Sequence, residues 1–549
     1  MRALAARMLG RTPMWNRAPA RLLIAPPDLR TADPTVADDI YAGYFVFAGR
    51  AVATGGRTPF DFEPPSDDWG EALCGFGWLR HLRAADTALS RANGRALVDE
   101  FIGRPRSALT RRVPVTTRRV VTFLSQSPLV LDGADHAFYE RFMRALARDV
   151  ALLDRASTES RLPLERLVAA IGAAYAGLSF DDAEPLLKRA TRRLVRELDR
   201  QILTDGGHAS RSPRVLMDLL LDLLPLRQIY VTRGLDPPEA LLRAIDRMLP
   251  MLRMLRHGDG TLALFNGMGI TAADHLATLL IYDEQRANPM RHAPFSGYER
   301  LQAGGTLVIA DVGGAPVSDQ AALAHAGPLA FEMSSGAHRL IVNCGAPGGN
   351  RPDLRQAARA TAAHSTATVG TLSCAEFLTP HGWGTRRWLG AALQRRLGPL
   401  MLSGPTASAE RRDGEDGAEI RASHDGYRGA AGLVHTRRLR LNPTGERLEG
   451  EDGFTRDPGA TGPDDIAIRF HIHPFARPSR AEDGRAILLV LPNREIWRFE
   501  AEGIAPAIEE SVFFAMTDGG RRCEQIVLRL KAGERASVTW RFERLAKGT

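Results

Sequence analysis

The chain has 549 residues, 44% hydrophobic and 25% charged, with 72 Lys+Arg against 64 Asp+Glu and a formal charge of +8. This composition excludes an intrinsically disordered chain, a collagen and a small disulfide scaffold, and the length leaves room for two large domains or several smaller ones. The richest apolar stretch, Val215–Leu226, is broken by Asp218 and Asp222, so no bilayer-spanning helix is expected.

Residues 1–40 read as a basic N-terminal tail. Its first 27 residues carry Arg2, Arg7, Arg11, Arg17 and Arg21 and no acid, without an apolar core long enough for a standard export signal. From 41 to 294, apolar residues recur at helical spacing over Glu140–Leu153, Leu164–Leu178, Glu184–Leu203, Leu241–Leu255 and Asp274–Tyr282, so this half reads as all-helical. The pattern changes near Arg286–Gly305.

Residues 295–549 read as β-structure. Short alternating runs occupy Gly305–Asp311, His338–Cys344, His364–Gly370, Asp465–His473, Ala486–Leu491, Glu495–Glu500, Gln525–Lys531 and Ala536–Phe542. Pro492-Asn493 and Ala532-Gly533-Glu534 read as hairpin turns, and Ser403–Gly417 and Gly450–Asp464 as exposed loops. So many antiparallel strands predict a large sandwich. Alternation over Asp465–His473 places Arg469, His471 and His473 on a basic face, to which the segments at His424 and His435 add more such groups; this face would meet either sugar or solvent.

Only Lys188, Lys531 and Lys547 among the basic residues are lysine. The arginine excess fits base composition, and it also suits an acidic polymer, because guanidinium forks match carboxylates and sulfates. The charge is spread along the chain and no nucleic-acid-binding motif is present, so no nucleic-acid partner is expected. The four cysteines form no C-x-x-C pair, which excludes a zinc ribbon or a thioredoxin motif.

Two glycine-rich breaks in the helical half gather polar groups. Thr204–Pro213 holds Asp205, Gly206, Gly207, His208 and Arg211 ahead of a Ser212-Pro213 helix start, and His257–Gly267 holds Asn266. Either is also an ordinary helix connection. In the β half, His325, Asn343 and His364 could meet, and two imidazoles with an oxygen ligand would suit zinc; a hydrogen-bonded polar core is the competing outcome.

The order of these features resembles the heparinase II/III family of polysaccharide lyases. It runs through the Asp-Gly-Gly-His208 loop, the Gly-Asp-Gly-Thr-Leu262 loop, Ala-His325-Ala-Gly-Pro-Leu-Ala-Phe331, Leu-Ile-Val-Asn343-Cys-Gly345, Ala-His364-Ser-Thr and the segment from Arg469 to Pro474. The resemblance implies an incomplete (α/α) toroid followed by an antiparallel β-sandwich, a bacterial cell-envelope or periplasmic location, with the cytoplasm as the alternative where no export signal is readable, and cleavage of an acidic, uronic-acid-containing polysaccharide by β-elimination. In that reaction a side chain neutralises the carboxylate, a base removes the C5 proton and an acid protonates the leaving O4.

Carried onto this sequence, the resemblance makes His208 the base or carboxylate partner, Arg211 a clamp for carboxylate or sulfate, Asn266 the enolate donor, and His325 the facing group from the sandwich. No cofactor is required for the chemistry; a structural zinc at His325, Asn343 and His364 is the one metal implied. The chain departs from the family in four places: Phe265 stands where a tyrosine is usual, leaving Tyr230 as substitute proton donor; the His-x-His-x-Asp pattern is reduced to His325; the acidic ligand position holds Asn343; and Arg211 stands where a glutamate can follow the histidine by three residues. These departures motivate an alternative, a non-catalytic glycan-binding or cell-envelope protein that keeps the lyase fold.

Overall fold

The computed structural model describes residues 21–282, 289–348, 351–378, 400–516 and 519–546. They form two compact units, the chain up to Arg200 with Leu219–Arg243, and Gln201–Asp218 with everything from Ala244 onward. The switch from helix to strand near residue 294 therefore lies inside the second unit.

The first unit is built mainly of helices, among them Val113–Ser125, His136–Glu159, Pro163–Ser179 and Glu184–Gln201. The helix His136–Glu159 starts where Asp135 accepts the Phe138 N–H at 2.7 Å, a side-chain N-cap. Pro163–Ser179 is buried almost all round; its alanines and glycines permit this, and a Cβ at Gly172 would meet Leu153 Cδ1 at 2.7 Å. Arg119 is fully buried. It forms a two-pronged pair with Asp149, both bonds 2.9 Å, and donates to the carbonyls of Cys74 and Thr110 at 3.0 Å. Every charge there is paired, which is the condition for keeping ions out of water.

Two expectations for this half are corrected. It is not all-helical, since Tyr44–Phe47 and Arg50–Ala53 pair as an antiparallel hairpin about a turn at Ala48-Gly49. Residues 21–40, assigned to the tail, include the helix Val36–Tyr41 with Ala37 and Ile40 buried, and Arg30 bonds Asp222 at 3.0 Å; residues 1–20 lie outside the described residues.

In the second unit two antiparallel sheets pack face to face. One runs, edge to edge, Ala407–Gly414, Gly417–Tyr427, Leu433–Leu441, Arg447–Arg456, Ser537–Ala546, Ile496–Ala501, Ala486–Val490 and Arg477–Arg480. The other runs Ala507–Phe513, Arg521–Lys531, Asp465–Ile472, His338–Val342, Phe331–Ser335, Thr306–Asp311, Tyr298–Ala303 and His292–Ala293, with Ala367–Val369 also pairing on Asp465–Ile472. Phe331 of one sheet stacks on Trp540 of the other with centroids 5.6 Å apart, and Phe470 meets the same indole edge-on at 4.8 Å. These rings are the centre of the sandwich core.

The turn at Pro492-Asn493 joins paired strands as expected. The one at Ala532-Gly533-Glu534 does not close a hairpin: it carries the chain from one sheet to the other. The two expected loops contain strands. Ala407–Gly414 is an exposed, charged edge strand, a composition that discourages edge-to-edge association. Arg447–Arg456 is an interior strand; a Cβ at Gly450 would meet the Trp540 ring at 2.1 Å, so glycine serves here to admit an indole.

The expected basic face is also corrected. His471 is buried against Ser511 Oγ (2.7 Å) and the Ala362 carbonyl (3.0 Å). Gly426 N–H donates to His424 Nδ1, His424 Nε2–H to His435 Nδ1, and His435 Nε2–H to Asp452 at 2.7 Å. Arg437 and the Trp540 indole complete the shell of Asp452, and Arg437 also reaches the Leu329 and Ser365 carbonyls at 2.8 Å. These groups tie the two sheets together.

Candidate active site

The Thr204–Pro213 loop is held against the start of the sandwich unit. Gly206 has φ +88°, and a Cβ there would sit 2.0 Å from the Arg247 carbonyl oxygen, so the loop needs glycine. Asp205 accepts the Ser296 N–H and Oγ–H, both at 2.6 Å. Past this fold-back, His208 is 1% exposed. Its Nδ1 accepts the Ser210 N–H at 3.0 Å, which leaves Nε2 as the protonated nitrogen, donating to Gln201 Oε1 at 3.1 Å. Burial lowers its pKa to about 3, so the ring is neutral at physiological pH.

Arg211 has φ +61°, and each of its nitrogens is engaged. Nε donates to the Ser296 carbonyl (2.7 Å), Nη1 to Gly314 (2.6 Å), and Nη2 to Gly297 (3.2 Å) and to Asp311 Oδ1. Burial opposes its charge, but Asp311 outweighs it and keeps Arg211 above its usual value. The guanidinium also lies over the Tyr298 ring, 5.1 Å from the centroid.

Asn266, at φ +43°, links this pair to the histidine cluster. Its Nδ2 donates to Tyr298 Oη at 2.9 Å and Asp311 Oδ2 at 3.3 Å, and its Oδ1 accepts the His325 N–H at 3.1 Å. The Tyr298 hydroxyl donates to the Arg211 carbonyl, and burial raises its pKa. The second unit thus brings Arg211, Asn266 and His325 into one hydrogen-bonded chain with Tyr298 and Asp311, while His208 is fastened in the same loop as Arg211. Tyr230 belongs to the first unit, where its hydroxyl pairs with Thr191 Oγ1 at 2.6 Å.

Sequence reasoning missed Tyr298, Asp311 and Glu332. Tyr298 falls where the periodicity changes and was covered by neither pattern. Asp311 closes the largely apolar run Thr306–Asp311 and Glu332 sits between Phe331 and Met333, and a carboxylate flanked by core residues in this way is the signal that could have found them. Glu332 is fully buried and accepts from Asn343 N (2.9 Å), Asn343 Nδ2 (3.2 Å), Leu264 N (3.1 Å) and Arg339 (3.3 Å), with His257 Nε2 at 3.2 Å. Burial would raise its carboxyl, but Arg339, His257 and the Asn343 amide hold it below its usual value.

The residues expected to hold zinc do not fit that metal. His364 Nδ1–H donates to the Ala360 carbonyl at 2.9 Å, so its Nε2 accepts the His325 Nδ1–H at 3.1 Å. Asn343 is turned to Glu332 and to the Ser365 N–H, which its Oδ1 accepts at 2.9 Å. Among the described residues no three His, Cys, Asp or Glu side chains gather in a metal-binding group. His325, Asn343 and His364 are hydrogen-bonded core groups.

Residues 285–541 match the Heparinase II/III-like, C-terminal family. The chain is 33% identical over 540 residues to FtsZ-localized protein C of Caulobacter vibrioides, an alignment covering 95% of this chain and 90% of that protein. Among solved structures it superposes on heparinase III with a TM-score of 0.70 at 13% identity, covering 91% of this chain and 81% of that one. A mutant of the heparan sulfate lyase HepC of Pedobacter heparinus gives 0.63 at 13%, covering 95% and 85%. The architecture is that of those lyases, a helical toroid followed by an antiparallel sandwich, and no helix among the described residues is long and apolar enough to cross a membrane. The chain belongs to the heparinase II/III-like family.

Proposed function

We propose that this chain is a non-catalytic member of its family that acts as a binding protein at sites of FtsZ assembly. The observation that carries this reading is the state of the His208 loop. A base for β-elimination needs a free nitrogen lone pair facing the substrate, whereas His208 uses its lone pair on the Ser210 amide and its proton on Gln201. Four of the five Arg211 N–H donors are spent on Asp311 and three carbonyls, so a two-pronged clamp on a sugar carboxylate would have to break one of these buried bonds. The assignment to FtsZ rests on the relative that is 33% identical along nearly the whole chain, against 13% for the lyase structures.

A polysaccharide lyase acting on an acidic, uronic-acid-containing glycan is the second reading, favoured by the Asn266–Tyr298–His325 constellation. There the Asn266 amide would stabilise the enolate, Tyr298 would protonate O4, and His325 would face the sugar ring. Tyr298 takes the place of Tyr230 as donor in that reading.

Sedimentation of the purified full chain with GTP-assembled FtsZ tests the first reading. Pelleting with polymers but not alone is expected; a chain that stays in the supernatant at micromolar concentrations of both proteins overturns it.

A further inference from the structure

We infer that the second unit carries a docking pocket for an acidic peptide that inserts one large apolar side chain. A cavity of 280 Å³ opens between the Asp259–Thr271 loop, the Ala337–Arg339 turn, His473–Phe475 and Phe513–Met516. No residue of the Arg211–Asp311–Asn266 cluster lines it.

Its size and lining select the occupant. The volume lies at the bottom of the range for small-molecule sites and suits a single anchoring side chain. Leu264, Phe513 and Met516 supply apolar wall, and Phe475, at 50% exposure, presents a ring at the mouth. His473 packs edge-on against both phenylalanines, with centroids 5.1 and 5.2 Å away.

The polar groups are mostly spent on one another. Asp259 accepts from Thr261 N and Oγ1 at 2.8 Å, and Arg339 reaches Asp259, Glu332 and the Leu262 carbonyl. A pyranose, with several hydroxyls to satisfy, would find few partners here. An apolar side chain leaves the network intact.

The rim gives the sign of the partner. Arg521 lies over the Phe475 ring, 5.5 Å from its centroid, and among the described residues no carboxylate pairs with it. A carboxylate beside the anchor would meet this charge as the anchor covers Phe475.

The test uses the full chain and blocked pentapeptides Asp-Asp-X-Asp-Asp with X as Phe, Leu, Met or Ala, measured by isothermal titration, with glucuronate as the sugar probe. Binding with X as Phe, Leu or Met, at least about tenfold tighter than with Ala, is expected. Ala337→Trp, at an exposed lining position, should abolish it, and Arg521→Glu should weaken it by about tenfold; both variants should melt with the parent. Three results would overturn the proposal: no peptide binding up to millimolar concentration, peptide binding indifferent to Ala337→Trp, or glucuronate binding in place of the peptides.

Discussion

The pairing of Arg211 with Asp311 fixes what the residues around it can do. Arg211 spends its fork on Asp311 and three carbonyls, and Asn266 spends both ends of its amide. Asp311→Asn should therefore cost about 3–5 kcal/mol in urea unfolding, the usual penalty for breaking one side of a buried ion pair. Arg211→Met with Asp311→Leu should cost much less than the single change. The histidines make a second prediction. Burial lowers His208 and His471 to about 3, and His257 and His364 to about 4, from the ordinary 6.5. Between those values the unfolded chain binds more protons than the folded one. Stability is thus fully present above pH 6.5 and falls toward pH 4, by roughly 1 kcal/mol per pH unit for each ring. Urea midpoints at pH 7.5, 6 and 5 should decline in that order; a flat series would show that these rings titrate normally.

At the scale of elements, the legible part of the sequence is what local periodicity writes. Helices such as Pro163–Ser179 and Glu239–Met254 fall within one or two residues of their expected ends, because one buried stripe repeats through each. Ala407–Gly414 was opaque, since an exposed edge strand has no apolar face to alternate. Arg447–Arg456 was opaque for the opposite reason: Gly450 and Asp452 look like loop residues until Arg437 on the preceding strand and Trp540 from a strand distant in sequence are brought beside them. The candidate site was legible in the same measure. Arg211, Asn266 and His325 stand in recognisable loops, but Tyr298 and Asp311 complete the cluster through strand pairing that no local pattern records. Gly450→Leu should destabilise by about 1–3 kcal/mol or more through overpacking against Trp540, read as a lowered melting temperature. An unchanged melting temperature would mean that the indole can move aside.

For the whole molecule, the fold and the family point one way and the chemistry of the loop another. A chain can keep the architecture of a lyase while its polar cluster serves as internal scaffolding, since function resides in sites rather than in folds. Here each group of the Arg211–Asp311–Asn266 cluster has a partner within the protein, and His208 is held neutral by its surroundings. The most direct test is ultraviolet absorbance of the unsaturated-uronate product during incubation of the purified chain with a panel of uronate polymers, alongside an Asn266→Ala control. No growth of the band on any polymer is expected. Growth with the parent chain that Asn266→Ala removes would contradict it and establish the lyase reading.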